Sequence, residues 1–461
     1  MALQDLIVGV VGGHLMLTLT LGPILILFIR SVYRVYFHPL SHIPGPLLAK
    51  LTSLWLYYHA YVGDEASTIH KLHQQYGPYV RVSPTEVDLS DADGIPAIYV
   101  SKRGFPKANC YANFDIDGHK TLFSTTDTEY RSPRAKAVVP LFSTKALREN
   151  ERAIWGCVDR MVDRLVEEAK TKRPVNVLNL TRSLAVDAVS THLFRENYDG
   201  VSERGPVLSV SAFVDLFVAV GRFFYLPNLV FAWLEWAVTK LVPDREADDS
   251  MSLVDKFVGT VVSNTTSKST TYPGRLLAIG LSDSEVRALV MHPEKYQRPK
   301  EEVAKNAALG ADAQEAQALP YLNAVVKEGL RLSMANPTRL PHVVPAGGWN
   351  FKGTYFPAGT IIGCSAYELH FNPAVFPQPR VFSPERWLNP TEDMLKYWFA
   401  FGAGSRACIA RNLATVELQF ATERLGRSGI LDGARIVQSE VDIYEWFNSK
   451  VKGGKIELVW G

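Results

Sequence analysis

A single cysteine, placed behind a glycine-rich loop and in front of a helix, constrains this chain more than any other feature. Residues 401–408 read Phe-Gly-Ala-Gly-Ser-Arg-Ala-Cys, and a helical pattern with one apolar stripe follows over residues 411–425. The N–H groups and the macrodipole at a helix start favour an anion and lower the pKa of a thiol, so a thiolate at Cys408 could bind a metal. The two glycines permit a tight loop around the sulfur, and the phenylalanine could shield it from water.

The other cysteines, Cys110, Cys157 and Cys364, are widely spread and form no Cys-x-x-Cys or Cys/His pattern. This spacing argues against a disulfide framework and against a structural zinc site. Lys and Arg number 49 and Asp and Glu number 47, which leaves a net charge of +2. So small a balance predicts no nucleic-acid partner.

A long charge-free run stands near the N-terminus, over residues 6–29. At 1.5 Å of rise per residue, a helix of this length can cross a hydrocarbon layer about 30 Å thick. Asp5 precedes the run, whereas a cleavable signal peptide needs a basic leader. Arg30 and Arg34 follow it, and the positive-inside rule then places the bulk of the chain in the cytosol. We predict a single-span membrane anchor over residues 1–29, in preference to a signal peptide or a buried core helix.

The segment that follows the anchor is basic and rich in proline. Pro39, Pro44 and Pro46 surround Gly45, and proline fixes φ and removes backbone donors. Residues 30–50 are therefore expected to form a stiff hinge. The remaining residues, 51–461, are expected to form one catalytic domain.

The patterns in the rest of the chain predict a mainly α fold with small β-sheets. Apolar residues recur at helical spacing over residues 145–170 and 176–194, and alternation over residues 78–90 predicts a short hairpin. Residues 337–387 are dense in proline, glycine and short β-type runs, which favours loops and small strands. Residues 213–242 are rich in aromatic and aliphatic side chains but interrupted by charges, so they are expected to lie partly in the core and partly in a bilayer surface.

The spacing of Phe401, Gly404, Arg406 and Cys408 resembles the haem-binding loop of the cytochrome P450 family. The family also carries a Glu-x-x-Arg pair on a helix, which Glu328 and Arg331 match.

A later Pro-Glu-Arg-aromatic segment of the family is matched by residues 384–387, which include Arg386. In the family, the Glu-x-x-Arg pair bonds to this second arginine and locks the core beneath the haem. The resemblance thus implies that Glu328, Arg331 and Arg386 have a structural role.

The resemblance implies the cytochrome P450 fold with haem b, Cys408 as the axial ligand of its iron, and contacts from Phe401, Gly404 and Arg406. It is strongest to fungal, microsomal members that work in secondary metabolism. These are monooxygenases that use O₂ to oxidise lipophilic small molecules, with electrons from an NADPH-dependent reductase. The expected location is the endoplasmic reticulum membrane, with a single span and a cytosolic catalytic domain.

Basic residues of the family reach the haem propionates. After the Glu-x-x-Arg helix, Arg339 and His342 fall in the relevant stretch, and His342 occupies the expected position. A second contact to the haem propionates is expected from Arg131, in the N-terminal part of the chain, within a basic stretch that also holds Arg134 and Lys136. The position two after the ligand is Ala410, where the family usually has glycine.

One departure from the family pattern concerns the long helix that crosses the distal face of the haem. In the family, this helix carries an acid–alcohol pair that delivers protons to bound oxygen. Here Ser282–Ala288 runs directly into Leu289–Glu294, and the ten or so residues available would make a helix of only about 15 Å. Roughly 25 residues implied by the resemblance are absent, so the distal helix is expected to be shortened and its acid–alcohol pair missing.

Two explanations remain open from the sequence. Either the sequence lacks an exon of the gene, or the protein is a haem protein with impaired oxygen activation. The first hypothesis for function is a haem-thiolate monooxygenase of fungal secondary-metabolite biosynthesis. The alternatives are a membrane-tethered haem-binding pseudo-enzyme and a haem-thiolate isomerase or dehydratase that uses no O₂.

Overall fold

The computed structural model describes residues 21–101, 104–116, 118–205, 208–241, 245–284, 286 and 319–461. Within these ranges the fold is mainly helical with small sheets, which confirms the fold class predicted from the sequence. The helices are Leu47–Leu51 (α1), Leu54–Val62 (α2), Glu65–Tyr76 (α3), Thr128–Val138 (α4), Thr144–Glu149 (α5), Glu151–Ala169 (α6), Val177–Phe194 (α7), Ser209–Val220 (α8), Asn228–Leu241 (α9), Arg245–Ser263 (α10), Tyr272–Ala278 (α11), Pro320–Ser333 (α12), Ala366–His370 (α13), Glu392–Tyr397 (α14) and Arg411–Ser428 (α15).

The strands form small sheets. They are Tyr79–Ser83 (β1), Glu86–Leu89 (β2), Val175–Asn176 (β3), His342–Val343 (β4), Trp349–Phe351 (β5), Thr354–Phe356 (β6), Ile361–Gly363 (β7), Ala434–Ile436 (β8), Ile443–Tyr444 (β9), Lys450–Val451 (β10) and Glu457–Trp460 (β11). The largest sheet has the order β1-β2-β7-β4. Its first two strands pair antiparallel, as the alternation of residues 78–90 predicts, and β2 pairs parallel with β7. This sheet joins β4, which follows the Glu-x-x-Arg helix, to the N-terminal hairpin through β7.

The main hydrophobic core lies between α6, α7 and α15. On α6, Ile154, Val158 and Met161 recur at helical spacing and are buried, and on α15 Leu413 and Phe420 form the predicted stripe. Burying each such side chain contributes about 1.5–3 kcal/mol relative to exposure. The helix that follows Cys408 is therefore fixed by its packing, which gives the cysteine a rigid support.

The proline-rich segment predicted to be a hinge packs against β1. The backbone N–H of Arg81 donates to the carbonyl of Pro44 at 2.7 Å, and its guanidinium donates to the carbonyl of Arg34 at 2.9 Å. Gly45 passes so close that a Cβ there would stand 2.3 Å from the carbonyl oxygen of Arg81. The segment is thus held at a set position on the sheet, while the boundaries 1–29, 30–50 and 51–461 stay predictions.

Two predicted features lie mostly outside the described residues. Residues 1–20 of the predicted anchor are among them, and so are residues 285 and 287–294 of the segment 282–294, which is predicted to be a shortened distal helix. Residues 21–32 are helical, and the apolar side chains of residues 24–29 are exposed. Across the ranges that the structure describes, no helix combines the length and the apolar character needed to cross a bilayer.

The aromatic segment over residues 213–242 divides into two parts. In α8, Phe213 and Val218 are buried, whereas α9 exposes Leu229, Trp233 and Trp236. A short 3₁₀ turn, Gly221–Phe223, separates the two helices. One part of the segment therefore belongs to the core and the other presents a large apolar face.

Candidate functional site

A buried carboxylate on α12 organises the region behind the candidate site. Glu328 accepts two hydrogen bonds of 2.8 Å from the guanidinium of Arg331, one turn later on the helix. It also accepts from Arg386 Nε at 3.1 Å, from Trp387 Nε1 at 2.8 Å and from the backbone N–H of Ser383 at 3.1 Å. The structure thus brings together the three residues that the sequence grouped by resemblance.

The balance of burial and hydrogen bonding decides the charge of Glu328. Burial alone would raise the pKa of this carboxyl, but hydrogen bonds and charge from Arg331, with hydrogen bonds from Ser383 and Trp387, lower the pKa below its usual value. A depressed carboxyl pKa contributes stability that is present above the unfolded pKa and is lost as the pH falls through the folded pKa. Glu328 is therefore an anion at neutral pH.

The same network reaches the loop that carries the cysteine. Arg331 Nη1 donates to the carbonyl of His370 at 2.9 Å, and His370 Nε2 accepts from the N–H of Phe399 at 2.8 Å. His370 must then carry its proton on Nδ1, which lies 2.9 Å from the carbonyl of Arg331. Burial lowers the pKa of His370 to about 3, so the ring stays neutral. The carboxylate on α12 is thereby connected to Phe399, the first residue of the loop over residues 399–408 that carries the cysteine, called here the cysteine loop.

Glycine is required within the cysteine loop. Gly404 has a φ of +69°, and a Cβ at this position would lie 1.8 Å from the carbonyl oxygen of Tyr99. Gly402 has a φ of +67°, but the nearest atom to its Cβ would be Cδ1 of Leu340 at 3.3 Å. Both residues adopt a left-handed conformation, and only Gly404 also needs its small size against another backbone.

Cys408 lies at the end of this loop, three residues before α15 begins. Its N–H donates to the carbonyl of Phe401 at 2.9 Å. Burial raises the pKa of the Cys408 thiol to about 12, which outweighs the opposing effects of the Ala410 N–H and of Arg411. The expectation that the helix start lowers this pKa is wrong for the polypeptide alone, because loss of water penalises the thiolate more than the N–H stabilises it. A bound metal ion reverses this balance by displacing the thiol proton.

Cys408 lines a cavity that is partly open to solvent, and the space between the protein atoms there is about 900 Å³, open solvent included. Three other residues that the sequence singled out also line it, namely Phe401, Arg406 and Arg131. Gly404 and His342 are not among its lining residues. The structure therefore gathers the thiol, the shielding phenylalanine and two of the predicted cations around one space.

A third cation, Lys107, lines the same cavity. Lys107 Nζ, Arg131 Nε and Arg406 Nη1 all donate to carbonyl oxygens of residues 122–125, at 2.7, 3.3 and 3.1 Å. Burial and then the neighbouring positive charges lower the pKa of Lys107 well below its usual value. Of the described residues that line the cavity, none is Asp or Glu. Three converging cations without a lining carboxylate favour a ligand that carries negative groups.

Sequence reasoning did not find Lys107, although a signal was present. It is the only charged residue between Gly104 and Phe114, in a run of apolar and small polar residues. A lone lysine in such a run is buried together with its neighbours unless it can reach water. Its ammonium lies 3.9 Å from the ring centre of Tyr111, so the aromatic surroundings hold it at the cavity.

The two residues considered for the propionate position after α12 lie behind the cavity wall. Nδ1 of His342 is 3.1 Å from the carbonyl of Leu340, and its ring packs against Tyr99. Burial lowers the pKa of His342 to about 3, with smaller effects from Lys107 and Arg406. The other residue, Arg339, forms an ion pair with a glutamate of β2. A cofactor contact from His342 stays a prediction.

Comparison with known proteins identifies the family. The family model described as Cytochrome P450 matches residues 44–272 and 286–425, which is more than half of the chain. Cytochrome P450 monooxygenase mfmF of Annulohypoxylon moriforme is 34% identical over 486 aligned positions, covering 95% of this chain and 99% of that protein. Cytochrome P450 monooxygenase orf2 of Aspergillus niger is 28% identical, with 85% and 86% of the two chains covered. A pisatin demethylase of Fusarium vanettenii is 26% identical, with 86% and 84% covered.

The chain therefore belongs to the cytochrome P450 family. This confirms the function predicted from the sequence, a haem-thiolate monooxygenase of fungal secondary-metabolite biosynthesis, and favours it over the pseudo-enzyme and the isomerase or dehydratase. Its cofactor is haem iron. Enzymes of the family generally take electrons from a reductase and act on small molecules, and the eukaryotic members are typically associated with the endoplasmic reticulum.

The cavity suits haem. A thiol that can bind iron lies in the same space as three cations that can bind two propionates, and no carboxylate of the described lining opposes them. The walls are otherwise largely apolar and aromatic, which matches the porphyrin faces. The side chains that line the cavity thus include the donors that a haem-thiolate site needs.

We expect Glu328→Gln to destabilise the protein by about 3–5 kcal/mol, because a neutral amide leaves the guanidinium of Arg331 buried without a counter-charge. Chemical denaturation of the purified protein measures the change, and haem content per chain should fall with it. The matched control is Glu385→Gln in the turn at residues 384–387, where an exposed carboxylate accepts from Tyr321; there the effect should stay within about 0.5 kcal/mol. Equal effects of the two substitutions would contradict the central role of Glu328.

Proposed function

We propose that Cys408 is the axial ligand of the haem iron and that Lys107, Arg131 and Arg406 hold the propionates. The observation that supports this assignment is the single cavity in which the thiol and the three cations meet without a lining acid. Arg406 donates from the cysteine loop, whereas Lys107 precedes residues 122–125 in the sequence and Arg131 follows them. The cofactor would thus be held by segments far apart in the chain.

When bound, a haem with an axial thiolate supplies cleavage of O₂ and transfer of one oxygen atom to a C–H bond. The chain's own residues perform the supporting tasks. The loop carbonyl of Phe401 accepts from the Cys408 N–H and so fixes the position of the sulfur. The ring of Phe401, packed against Trp398 with centroids 5.7 Å apart, excludes water from this side of the cavity.

The substrate we propose is a lipophilic small molecule. Phe123, Leu340 and Phe447 line the cavity, and an aromatic cluster that includes Tyr111 and Phe224 lies behind Phe447. Apolar walls of this kind bind ligands through burial, with few polar contacts to orient them. The proposed electron donor is an NADPH-cytochrome P450 reductase in the same membrane.

We expect Cys408→Ser to abolish the reduced, carbon-monoxide difference band at the thiolate position, because a serine hydroxyl is a poor anionic ligand for iron. The difference spectrum of the purified full chain measures it directly. Cys110→Ser serves as the matched control, since Cys110 is also half-buried but does not line the cavity, and it should retain the band. A band of full intensity in Cys408→Ser would exclude this cysteine as the ligand.

We further propose that the chain as written lacks a segment of the distal helix. The family match is interrupted between residues 272 and 286. The alignment with the Annulohypoxylon protein runs over 486 positions whereas the chain has 461 residues, so at least 25 positions of that alignment fall opposite gaps in this chain. The break in the family match lies a few residues before the junction at Ala288 and supports a missing internal block near the region where the acid–alcohol pair would lie. The alignment gaps support residues missing from this chain, without placing them.

Sequencing of transcripts across the codons for Tyr272–His292, which span the break in the family match and the junction at Ala288, tests this proposal. Because at least 25 positions of the alignment fall opposite gaps in this chain, we expect an in-frame block in this window that encodes an acid–alcohol pair. Transcripts without any insertion would overturn the proposal. Such transcripts, together with haem loading but no substrate oxidation, would instead support the pseudo-enzyme.

We propose that the protein is a single-pass protein of the endoplasmic reticulum membrane, anchored by residues 1–29, with its catalytic domain in the cytosol. A second apolar surface supports membrane association. Trp233 and Trp236 on α9 are 64% and 61% exposed, and Leu229 is 87% exposed. Tyr61 on α2 packs against Phe223 with centroids 5.7 Å apart, which joins α2 to the turn that precedes α9. Apolar exposure on this scale is typical of a protein or membrane contact.

Replacement of both Trp233 and Trp236 by Phe should remove most of the tryptophan quenching by brominated acyl chains in vesicles containing the full chain. The reason is that these two, of the nine tryptophans in the chain, would lie at the headgroup boundary. Fluorescence of the reconstituted protein measures the quenching. Trp155→Phe, on the core helix α6, is the matched control and should leave quenching unchanged. Undiminished quenching in the double variant would count against contact of α9 with the bilayer.

A further inference from the structure

A second polar cluster lies behind the cavity wall, and Arg339 is at its centre. The Arg339 side chain is fully buried, and its Nη2 donates to Glu86 on β2. Its guanidinium carbon lies 5.2 Å from the ring centre of Tyr225. Nε and Nη1 of Arg339 have no hydrogen-bond partner among the described residues. The ion pair with Glu86 and the contact with the Tyr225 ring thus hold the arginine, rather than a full set of hydrogen bonds.

Tyr225 connects Arg339 to a further buried acid. Its hydroxyl donates to Glu65 Oε1, at the start of α3, over 2.7 Å. Oε2 of Glu65 has no partner in the described part of the chain. On the far side, Asp88 of β2 bonds to His73 Nε2 at 2.9 Å. These residues come from α3, β2, the segment before α9 and the segment after α12.

The cluster contains more acids than cations. Burial raises the pKa of Glu65, Arg339 and Tyr225 oppose the shift and Asp88 and Glu86 add to it, which together bring the pKa to about 8. A carboxyl with this pKa is protonated at pH 7 and ionises as the pH rises through 8. Ionisation of Glu65 adds a third buried negative charge around Arg339, after those of Glu86 and Asp88. Arg339 already forms an ion pair with Glu86.

Arg339 also belongs to the wall of the haem cavity by sequence. Thr338 and Leu340, its two neighbours, line the cavity. Leu340 donates its N–H to the carbonyl of Cys364 at 3.0 Å, and its own carbonyl accepts from Tyr99 at 2.9 Å. The side chain of Leu340 also reaches the position beside Gly402 in the cysteine loop. A shift of Arg339 would therefore move the wall on both of its sides.

We propose that Arg339 is a positioning residue of the active site, which holds Thr338 and Leu340 in place through the buried acids behind them. Glu65 and Tyr225 tune that support, because ionisation of Glu65 pulls the guanidinium away from Glu86 and loosens the wall. This inference rests on the proposed haem site. It adds a group that touches neither cofactor nor substrate but acts through the two residues that flank it.

The test uses the haem-loaded full chain and 1-phenylimidazole, a neutral azole whose binding to the iron shifts the absorption spectrum. We expect the affinity of the wild-type protein for 1-phenylimidazole to fall about fivefold or more as the pH rises from 7 to 9.5. A fivefold change is at the lower end of the range for two energetically coupled sites. In Glu65→Gln, which keeps the uncharged form, the affinity should not change over this range. The matched control, Glu445→Gln, removes a half-buried carboxyl near α3, one that accepts from the Ser67 N–H; it should keep the wild-type profile.

Substitutions of the arginine separate positioning from simple folding. Arg339→Met should lower azole affinity at pH 7 while haem content and the thiolate band persist, and Arg339→Lys, which keeps the charge, should recover part of the loss. The proposal is overturned by a flat wild-type profile, by a pH dependence that survives in Glu65→Gln, or by wild-type affinity in Arg339→Met. If no variant and no wild type ever bound haem, the proposed haem site itself would fail, and this inference with it.

Discussion

The arrangement of the whole site depends on one carboxylate that is buried and yet fully satisfied. Burying an ion costs several kcal/mol unless other groups replace its hydration. Glu328 meets this condition with five hydrogen bonds, from a neighbour on its own helix and from a turn more than fifty residues later. These hydrogen bonds also fix the position of each donor, because moving a donor away would leave the charge of Glu328 without a partner in an apolar interior.

The consequence is transmitted to the loop that carries Cys408 through backbone groups. Arg331 also donates from Nη1 to the carbonyl of His370, and the neutral ring of His370 accepts a hydrogen bond from the N–H of Phe399. The loop that starts at Phe399 is closed by the Cys408 N–H and is shaped by Gly404 against the backbone of Tyr99. Position and chemistry thus come from different sources, because the Glu328 network places the sulfur while burial keeps the thiol protonated until a metal ion binds.

Local patterns carried most of what could be predicted. The cysteine motif and the Glu-x-x-Arg motif each span only a few residues, so each can be recognised from local sequence. Local apolar periodicity predicted the hairpin and the helices α6, α7 and α15. The partnership of Glu328 with Arg386 came only from the family resemblance. Lys107 and the Arg339–Glu86 pair could not be found in this way, because their partners are brought near by tertiary packing and a lone charge has no periodicity. The raised pKa of Cys408 was missed for a similar reason, since burial is a property of the fold and not of the motif.

The segment after α12 separates two environments of opposite charge. On the cavity side are Lys107, Arg131 and Arg406 without a lining acid, and on the other side are Glu65, Glu86 and Asp88 around one arginine. Lys107 and Arg406 add to the effect of burial and help to lower the pKa of His342, whereas Glu86 and the other acids raise the pKa of Arg339 against the effect of burial. A positive charge in this segment is therefore stabilised where buried acids surround it, which explains why Arg339 is an ion-paired guanidinium and His342 a neutral ring.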